Sequence, residues 1–194
     1  MATVTPTRPP VFNLPNQLTA SRFVLALVLF AFIEWGWWLS SILIFAVAAT
    51  TDWLDGYLAR KQGLVSTLGR NLDPLVDKVL ICGAYIFLLP QEKTGLAAWM
   101  VTVVVGRELI ITGLRSFMEN RGASFGADWL GKVKMVLQCA ALFAIFLALA
   151  MEFPEESPWA WLRDGFTYAM LLATALSGLQ YVWRAFSLLK MDRL

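Results

Sequence analysis

Histidine is absent from this sequence, and cysteine occurs only twice, at Cys82 and Cys139. Without an imidazole, any general base must be a carboxylate, a lysine, a tyrosine or a cysteine, so acid–base chemistry built on histidine is excluded. Both cysteines fall within apolar segments, which predicts small buried side chains. Neither a disulfide nor a Cys-x-x-Cys metal site is expected from them.

Charged residues are also scarce. They make up 15% of the chain, against roughly 25% in an ordinary soluble domain, while 58% of the residues are apolar. No internal repeat, no linker rich in glycine or serine and no low-complexity tract marks a second domain. The composition therefore predicts a single membrane domain over residues 1–194.

Six long apolar runs follow one another along the chain. A helix that spans a membrane needs about 20 predominantly apolar residues, and each run with its flanks reaches that length. The predicted fold class is all-α, an integral membrane bundle of six transmembrane helices with a short N-terminal juxtamembrane segment. The runs cover residues 23–32, 41–49, 79–89, 96–105, 133–150 and 166–177.

The segment before the first run is rich in proline and has no apolar stretch of the kind found in cleavable signal peptides. Residues 1–15 are therefore expected to be an irregular cytoplasmic lead-in. Residues 14–22 are expected to be helical, either along the membrane surface or entering it.

The positive charges are distributed unevenly between the two ends of the six predicted helices. Of the 16 lysines and arginines, only Lys93 and Arg163 fall on one side. Since cytoplasmic loops are enriched in lysine and arginine, the other side, with both termini, is predicted to face the cytoplasm from the cell inner membrane. The loops on the opposite side are expected to be plain solvated turns.

Four aspartates occur in two pairs at the ends of apolar segments. Asp52 and Asp55 are three residues apart, and Asp73 and Asp77 are four apart, so on helices each pair would share a face. Residues 62–70 contain two glycines and small polar residues, which predicts a cytoplasmic turn between the two pairs. The two helices would then be antiparallel neighbours whose four carboxylates face each other.

Carboxylate oxygens without thiol or imidazole ligands suit hard cations such as Mg²⁺ or Mn²⁺, and four of them could hold two ions. Gly56, Ala59 and Gly69 border the predicted cluster with almost no side chain. A flat group such as a nucleobase or a ribose could press against their backbone. The alternative is that the aspartates form interfacial ion pairs with neighbouring basic residues, and that the small residues serve helix packing.

The spacing D-x2-D-G-x2-A-R-x8-G-x3-D-x3-D over residues 52–77 resembles, without a departure, the signature of the CDP-alcohol phosphotransferase family. The resemblance implies a six-helix membrane protein, usually a homodimer, that transfers a phosphatidyl or related group from a CDP-linked donor to an alcohol and releases CMP. It implies Asp52, Asp55 and Asp73 as the principal metal ligands, and Asp77 as a further ligand and the general base, with Asp73 and Asp77 at the catalytic centre. The residues that it implies around CDP are Asp52, Gly56, Ala59, Arg60 and Gly69.

Three further stretches are similar to the bacterial phosphatidylglycerophosphate synthases of that family. N-x-x-N-x-L-T-x-x-R at residues 13–22 resembles their amino-terminal lead, which implies that Asn16 and Thr19 help to close the nucleotide site. G-R-E-L-I-I-T-G-L-R at 106–115 and G-K-V-K at 131–134 resemble their fourth-helix and fifth-helix signatures. The chain departs from this pattern at Met135, where threonine is usual.

The basic residues of the fourth and fifth predicted helices point to a phosphorylated acceptor. Arg107 lies inside an apolar stretch, where the cytoplasmic bias of basic residues explains it poorly. Arginine offers a bidentate fork to phosphate and lysine a point charge. The candidate acceptor-binding residues are Arg107, Arg115, Lys132 and Lys134.

The hypothesis is phosphatidyl transfer, within the lipid bilayer, from CDP-diacylglycerol to sn-glycerol 3-phosphate, which gives phosphatidylglycerophosphate and CMP. A sibling enzyme that uses inositol phosphate or phosphatidylglycerol as its acceptor remains an alternative. A divalent-cation transporter would place interrupted helices in corresponding halves of the chain, whereas both acidic pairs lie in one half. A membrane prenyltransferase typically separates its two acidic motifs by most of a domain. No nucleic-acid partner is expected.

Overall fold

The structure is a computed structural model that describes the backbone of residues 14–62, 67–119 and 129–191. Side chains are described within residues 17–51, 75–118 and 129–187. Over these residues the chain forms six α-helices and no strand, and each predicted apolar run supplies one helix. The all-α prediction is thereby confirmed. The helices are α1 (Leu14–Glu34), α2 (Trp38–Gln62), α3 (Thr67–Leu88), α4 (Ala98–Glu119), α5 (Trp129–Ala150) and α6 (Pro158–Met191).

Two predicted boundaries change. The turn predicted over residues 62–70 is shorter, because α3 already begins at Thr67 and includes Gly69. A single glycine costs a helix only about 1 kcal/mol relative to alanine, too little to end one whose neighbours favour it. The segment at 14–22 is continuous with the first apolar run in α1, and Pro15 is accommodated in its first turn, where its missing N–H has no helical partner to lose. The predicted lead-in over 1–15 lies almost entirely outside the described residues.

Among the described residues, one helix, Trp129–Ala150, has the length and apolar composition needed to cross a membrane. The part of α2 from Trp38 to Thr51 is apolar but shorter. Helix α3 begins with a charged segment, and α4 and α6 carry charged residues along their length. The six-helix architecture is therefore shown, and the number of spans is not.

Contacts between the described residues arrange the six helices in a closed order. Helix α1 packs against α2 and α3, α2 also contacts α5, α5 contacts α6, α6 contacts α4, and α4 returns to α3. Helices α3 and α5 additionally contact each other across the interior. Here the Tyr85 hydroxyl donates to the backbone carbonyl of Gln138 over 3.1 Å, and both residues are buried. Over the described residues, the neighbours of α2 are α1 and α5.

Close packing fixes the position of α1 against α3. A Cβ atom at Gly83 would lie 2.1 Å from the ring of Phe30, so only glycine leaves room for that ring. The Phe30 ring in turn stacks on Phe87 with their centroids 4.9 Å apart. This contact holds α3, the helix that carries the second acidic pair, against α1.

The loop between α3 and α4 differs from the solvated turn predicted for it. The Arg163 side chain at the start of α6 is only 6% exposed, donates to the backbone carbonyl of Lys93 and pairs with Asp164 at 2.8 Å. Gly95 has a φ of 70°, and a Cβ there would lie 2.7 Å from Asp164. The prediction failed because charge count alone does not distinguish an arginine in solvent from one that ties a loop to a helix.

Candidate active site

The acidic residues lie where α2 ends and α3 begins. Helix α2 carries Asp52 and Asp55, and α3 carries Asp73 and Asp77. Because both segments are helical, the three-residue and four-residue spacings place each pair on one helix face. Of the four side chains, only that of Asp77 is among those described. The expectation that all four carboxylates converge therefore stays a prediction.

Asp77 forms an ion pair with α1. An Arg22 Nη1 donor lies 2.7 Å from Asp77 Oδ1; the arginine side chain is 1% exposed and the carboxylate 28%. Burial makes such a charge pair strongly dependent on both partners, because removing one leaves the other charge desolvated. The pair therefore fixes one oxygen of Asp77 while the carboxylate stays accessible from one side.

Sequence reasoning missed the partnership of Arg22 with Asp77. The one feature of the sequence that could have indicated it is the position of Arg22. This arginine directly precedes the apolar run of α1 and is the last residue of the N-x-x-N-x-L-T-x-x-R stretch. Thr19, a predicted nucleotide-site residue, is 3% exposed and lies one helical turn before Arg22. Thr19 thus lies on the same face of α1 as Arg22, which pairs with Asp77 of α3. The Asn16 side chain is outside those described.

The other predicted CDP-binding residues are placed by backbone only. Gly56, Ala59 and Arg60 lie in the last part of α2, and Gly69 lies in the first turn of α3. No group of three or more histidine, cysteine, aspartate or glutamate residues is found within the described ranges, and these exclude the side chains of Asp52, Asp55 and Asp73. The metal and CDP assignments stay predictions.

A second polar cluster surrounds Glu108 on α4. Its Oε1 atom accepts from Arg107 Nη1 at 3.1 Å and also from Lys134 Nζ of α5. Glu108 and Lys134 are each 6% exposed, so both charges are taken out of solvent together. A buried carboxylate between two cations holds both side chains in place, because its removal would leave the two positive charges desolvated and without that partner. The structure thereby brings together Arg107 and Lys134, which the sequence placed in one site.

Helix α6 completes this cluster. Arg107 Nη2 donates to Ser177 Oγ at 3.0 Å, and Arg115 Nη2 donates to the Tyr181 hydroxyl at 3.2 Å. Neither α6 residue was predicted, because the sequence beyond the fifth helix showed only apolar composition. A serine and a tyrosine four residues apart give too weak a signal to be selected from sequence.

The four predicted acceptor residues do not share one environment. Arg107, Arg115 and Lys134 hydrogen-bond within the α4–α5–α6 cluster, where Lys134 is buried, Arg107 half-buried and Arg115 exposed. Lys132 is exposed and makes no hydrogen bond or ion pair among the described residues. Three cations against the single carboxylate of Glu108 leave an excess of positive charge. Arg107 also has a buried Nε donor without a partner within the described part of the chain. The cluster therefore has the charge and the donors to bind an anion.

Helix α3 connects the two polar regions. It carries Asp77 against α1, and it contacts α4 and α5. Lys78, the residue after Asp77, lies within electrostatic range of Glu108, and Cys82 lies within range of both Glu108 and Lys134. Asp77 is thus next in sequence to a side chain that lies within electrostatic range of Glu108.

Comparison with known proteins identifies the family. Residues 12–180 match the family model for CDP-alcohol phosphatidyltransferases. The chain belongs to that family. The match extends from before α1 into α6, so it includes both acidic pairs, the basic cluster and Ser177.

Individual relatives within the CDP-alcohol phosphatidyltransferase family are similar over most of their length. The CDP-diacylglycerol–glycerol-3-phosphate 3-phosphatidyltransferase of Bacillus subtilis is 34% identical, in an alignment that covers 93% of this chain and 98% of the relative. Proteins of the same name from Salmonella choleraesuis and Escherichia coli K12 are 37% and 36% identical. Each of these two alignments covers 68% of this chain and 75% of the relative.

Proposed function

We propose that this protein transfers the phosphatidyl group of CDP-diacylglycerol to sn-glycerol 3-phosphate, which yields phosphatidylglycerophosphate and CMP. The observation that carries the proposal is the cluster of Arg107, Arg115 and Lys134 beside the helix that carries Asp77. An acceptor with its own phosphate needs such cations, whereas a choline or ethanolamine acceptor would need an aromatic or acidic cage. The names of the three relatives support the same acceptor.

The donor set proposed for the metal is made of oxygen only. Asp52, Asp55, Asp73 and Asp77 fit hard divalent cations, and the partly exposed carboxylate of Asp77 is open to a ligand. These four residues would hold two Mg²⁺ or Mn²⁺ ions, which when bound would neutralise the charge of the pyrophosphate and of the departing CMP.

The chain's own residues would perform the remaining chemistry. Asp77 would accept the proton of the free terminal hydroxyl of glycerol 3-phosphate, and that oxygen would form a bond to the phosphorus that bears diacylglycerol. The bond from this phosphorus to the bridging oxygen of CMP would break, and CMP would leave with that electron pair. Arg22 would hold the receiving carboxylate in a fixed direction.

The nucleotide and the acceptor would bind on opposite sides of Asp77. Backbone at Gly56, Ala59 and Gly69 would lie against the cytidine. The other residues proposed to contact CDP are Asn16, Thr19, Asp52 and Arg60. The basic cluster would hold the acceptor phosphate, with Lys132 adding positive charge at its rim.

We also propose that the protein is a single domain in the cell inner membrane, with both termini and the site on the cytoplasmic side. We propose further that it forms a homodimer. Large apolar side chains exposed on several helices support the membrane placement, since soluble monomers rarely expose large contiguous apolar patches. On α4 these include Val103, Leu109 and Ile110, and on α6 they include Leu172 and Leu179.

The test is CMP release from CDP-diacylglycerol by the purified protein in nanodiscs, with a panel of acceptors. Glycerol 3-phosphate should support release. Glycerol and choline should support it at least tenfold less well, because they lack the phosphate that the basic cluster would bind, and under the proposal inositol phosphate and phosphatidylglycerol should also be used at least tenfold less well. Preferred use of another acceptor on the panel would transfer the assignment to that acceptor. No acceptor-dependent release would reject the enzyme class.

The same assay tests the order of events. The described residues offer no serine–histidine pair or activated thiol as a nucleophile, so a single displacement with both substrates bound is expected. Double-reciprocal plots should intersect, and a chiral phosphorus should invert. Exchange of labelled CMP into CDP-diacylglycerol without acceptor would instead indicate a phosphatidyl-enzyme, and the base role of Asp77 would be abandoned.

A further inference from the structure

The side chains of Arg107 and Arg115 both reach α6. Arg107 donates to Ser177 over 70 residues of sequence, and Arg115 donates to Tyr181 over 66. Ser177 is fully buried and Tyr181 is 6% exposed. Two successive turns of α6 therefore meet two arginines that lie two turns apart on α4.

The directions of these hydrogen bonds follow from the chemistry of arginine, which can only donate. Ser177 Oγ must therefore accept from Arg107, and its own proton is directed to the backbone carbonyl of Thr174, 3.2 Å away. Tyr181 must likewise accept from Arg115 through its hydroxyl oxygen. Both α6 side chains thus act as fixed acceptors that set where a guanidinium group points.

The Tyr181 ring contacts both arginines. The guanidinium carbons of Arg107 and Arg115 lie 5.9 Å and 5.8 Å from the ring centroid. Because the face of an aromatic ring attracts cations electrostatically, the ring stabilises the position of both guanidinium groups. The ring is held among the apolar side chains of Ile111, Met118 and Ala185, so it provides a rigid reference for both cations.

We propose that Tyr181, with Ser177, is a positioning residue for the acceptor phosphate, because it fixes where the guanidinium groups of Arg107 and Arg115 lie. This inference rests on the proposed function, and it adds α6 to a site otherwise assigned to α4 and α5. The positions of the two guanidinium groups determine how tightly they bind a phosphate. Tyr181 therefore acts on acceptor affinity through the arginines.

The competing interpretation is that Tyr181 only packs α6 against α4. A packing role would be independent of the charge at position 115, whereas positioning through Arg115 requires it. A double-mutant cycle between the two residues separates these roles.

The cycle uses Tyr181→Phe, Arg115→Ala and the double variant, with Tyr168→Phe as the matched control, since Tyr168 lies on the same helix and is 58% exposed. Tyr181→Phe retains the ring and removes only the hydroxyl, so folding should be preserved. Its apparent KM for glycerol 3-phosphate should rise roughly threefold to tenfold, as expected for the loss of one charge-assisted hydrogen bond. The KM for CDP-diacylglycerol should change less than about twofold.

In the Arg115→Ala background, removal of the same hydroxyl should change the KM for glycerol 3-phosphate by less than about twofold. The inference would be overturned if loss of the hydroxyl raised the KM for glycerol 3-phosphate by the same factor in the wild-type and Arg115→Ala backgrounds. It would also be overturned if the KM for both substrates rose in parallel. Ser177→Ala provides a second test. It should raise the KM for glycerol 3-phosphate by a similar factor, and this effect should be absent in an Arg107→Ala background.

These outcomes are separable from failure of the proposed function. If the wild-type protein turns over glycerol 3-phosphate and Tyr181→Phe leaves the KM for it unchanged, the inference is overturned and the proposed function stands. Turnover only with another phosphorylated alcohol overturns the proposed acceptor, and the same cycle measured with that alcohol then decides the role of Tyr181. Turnover only with an alcohol that lacks phosphate overturns both.

Discussion

The acidic and basic regions of this protein are specified in different ways. The four aspartates of the acidic region lie within residues 52–77 at fixed helical spacings, on two consecutive helices. The basic cluster is assembled across α4, α5 and α6 by contacts between residues 26, 66 and 70 positions apart. The acidic region is therefore specified by residue spacing within a short segment. The basic cluster forms only when α4, α5 and α6 pack against one another.

This difference matches what each region is proposed to bind. A metal site depends mainly on the number and charge of its oxygens, which neighbouring turns of two helices can supply. A phosphate site for one particular alcohol depends on where each donor points, and these directions are set by Glu108, Ser177 and Tyr181. Substitutions in the acidic region should therefore affect all turnover, and those in the basic region should affect one substrate.

The largest expected effect is in the acidic region. Asp52→Asn, Asp55→Asn and Asp73→Asn should each lower CMP release by at least about a hundredfold, because each removes an anionic oxygen from a site whose affinity rests on charge. Asp164→Asn is the matched control, since Asp164 pairs with Arg163 at the start of α6, and this variant should keep wild-type activity. Activity within threefold of wild type in any of the first three would remove that residue from the metal site.

The contrast also explains how far the sequence could predict this protein. Apolar runs of sufficient length predicted one helix each, and the helical spacing of the aspartates survives in α2 and α3. The partnership of Arg22 with Asp77 could not be predicted, since it spans 55 residues and depends on α1 packing beside α3. Tyr181 was missed for the same reason: its role comes from the two arginines opposite it, and no pattern within α6 indicates them.

An intermediate effect is expected in the buried part of the basic cluster. Arg107→Ala and Lys134→Ala should raise the KM for glycerol 3-phosphate by roughly tenfold or more, since each removes a charge-assisted hydrogen bond to phosphate. The KM for CDP-diacylglycerol should change much less. Because both residues pair with Glu108, thermal stability in detergent must be measured on the same samples. If the nucleotide KM rose instead, the cluster would belong to the other substrate.

The smallest effect is expected at Lys132. Residues two apart on a helix point to different sides, and accordingly Lys132 is exposed while Lys134 is buried against Glu108. Lys132→Ala should raise the KM for glycerol 3-phosphate by less than about threefold, because an exposed charge acts on the phosphate only through solvent.

Salt provides the control for this last comparison. An exposed charge is screened at high ionic strength and a buried one is much less so. The difference between wild type and Lys132→Ala should therefore disappear at about 0.5 M salt, while that between wild type and Lys134→Ala should persist. Equal and salt-resistant losses in the two variants would show that Lys132 turns inward to bind the phosphate directly, and the division of this region into buried and exposed cations would be wrong.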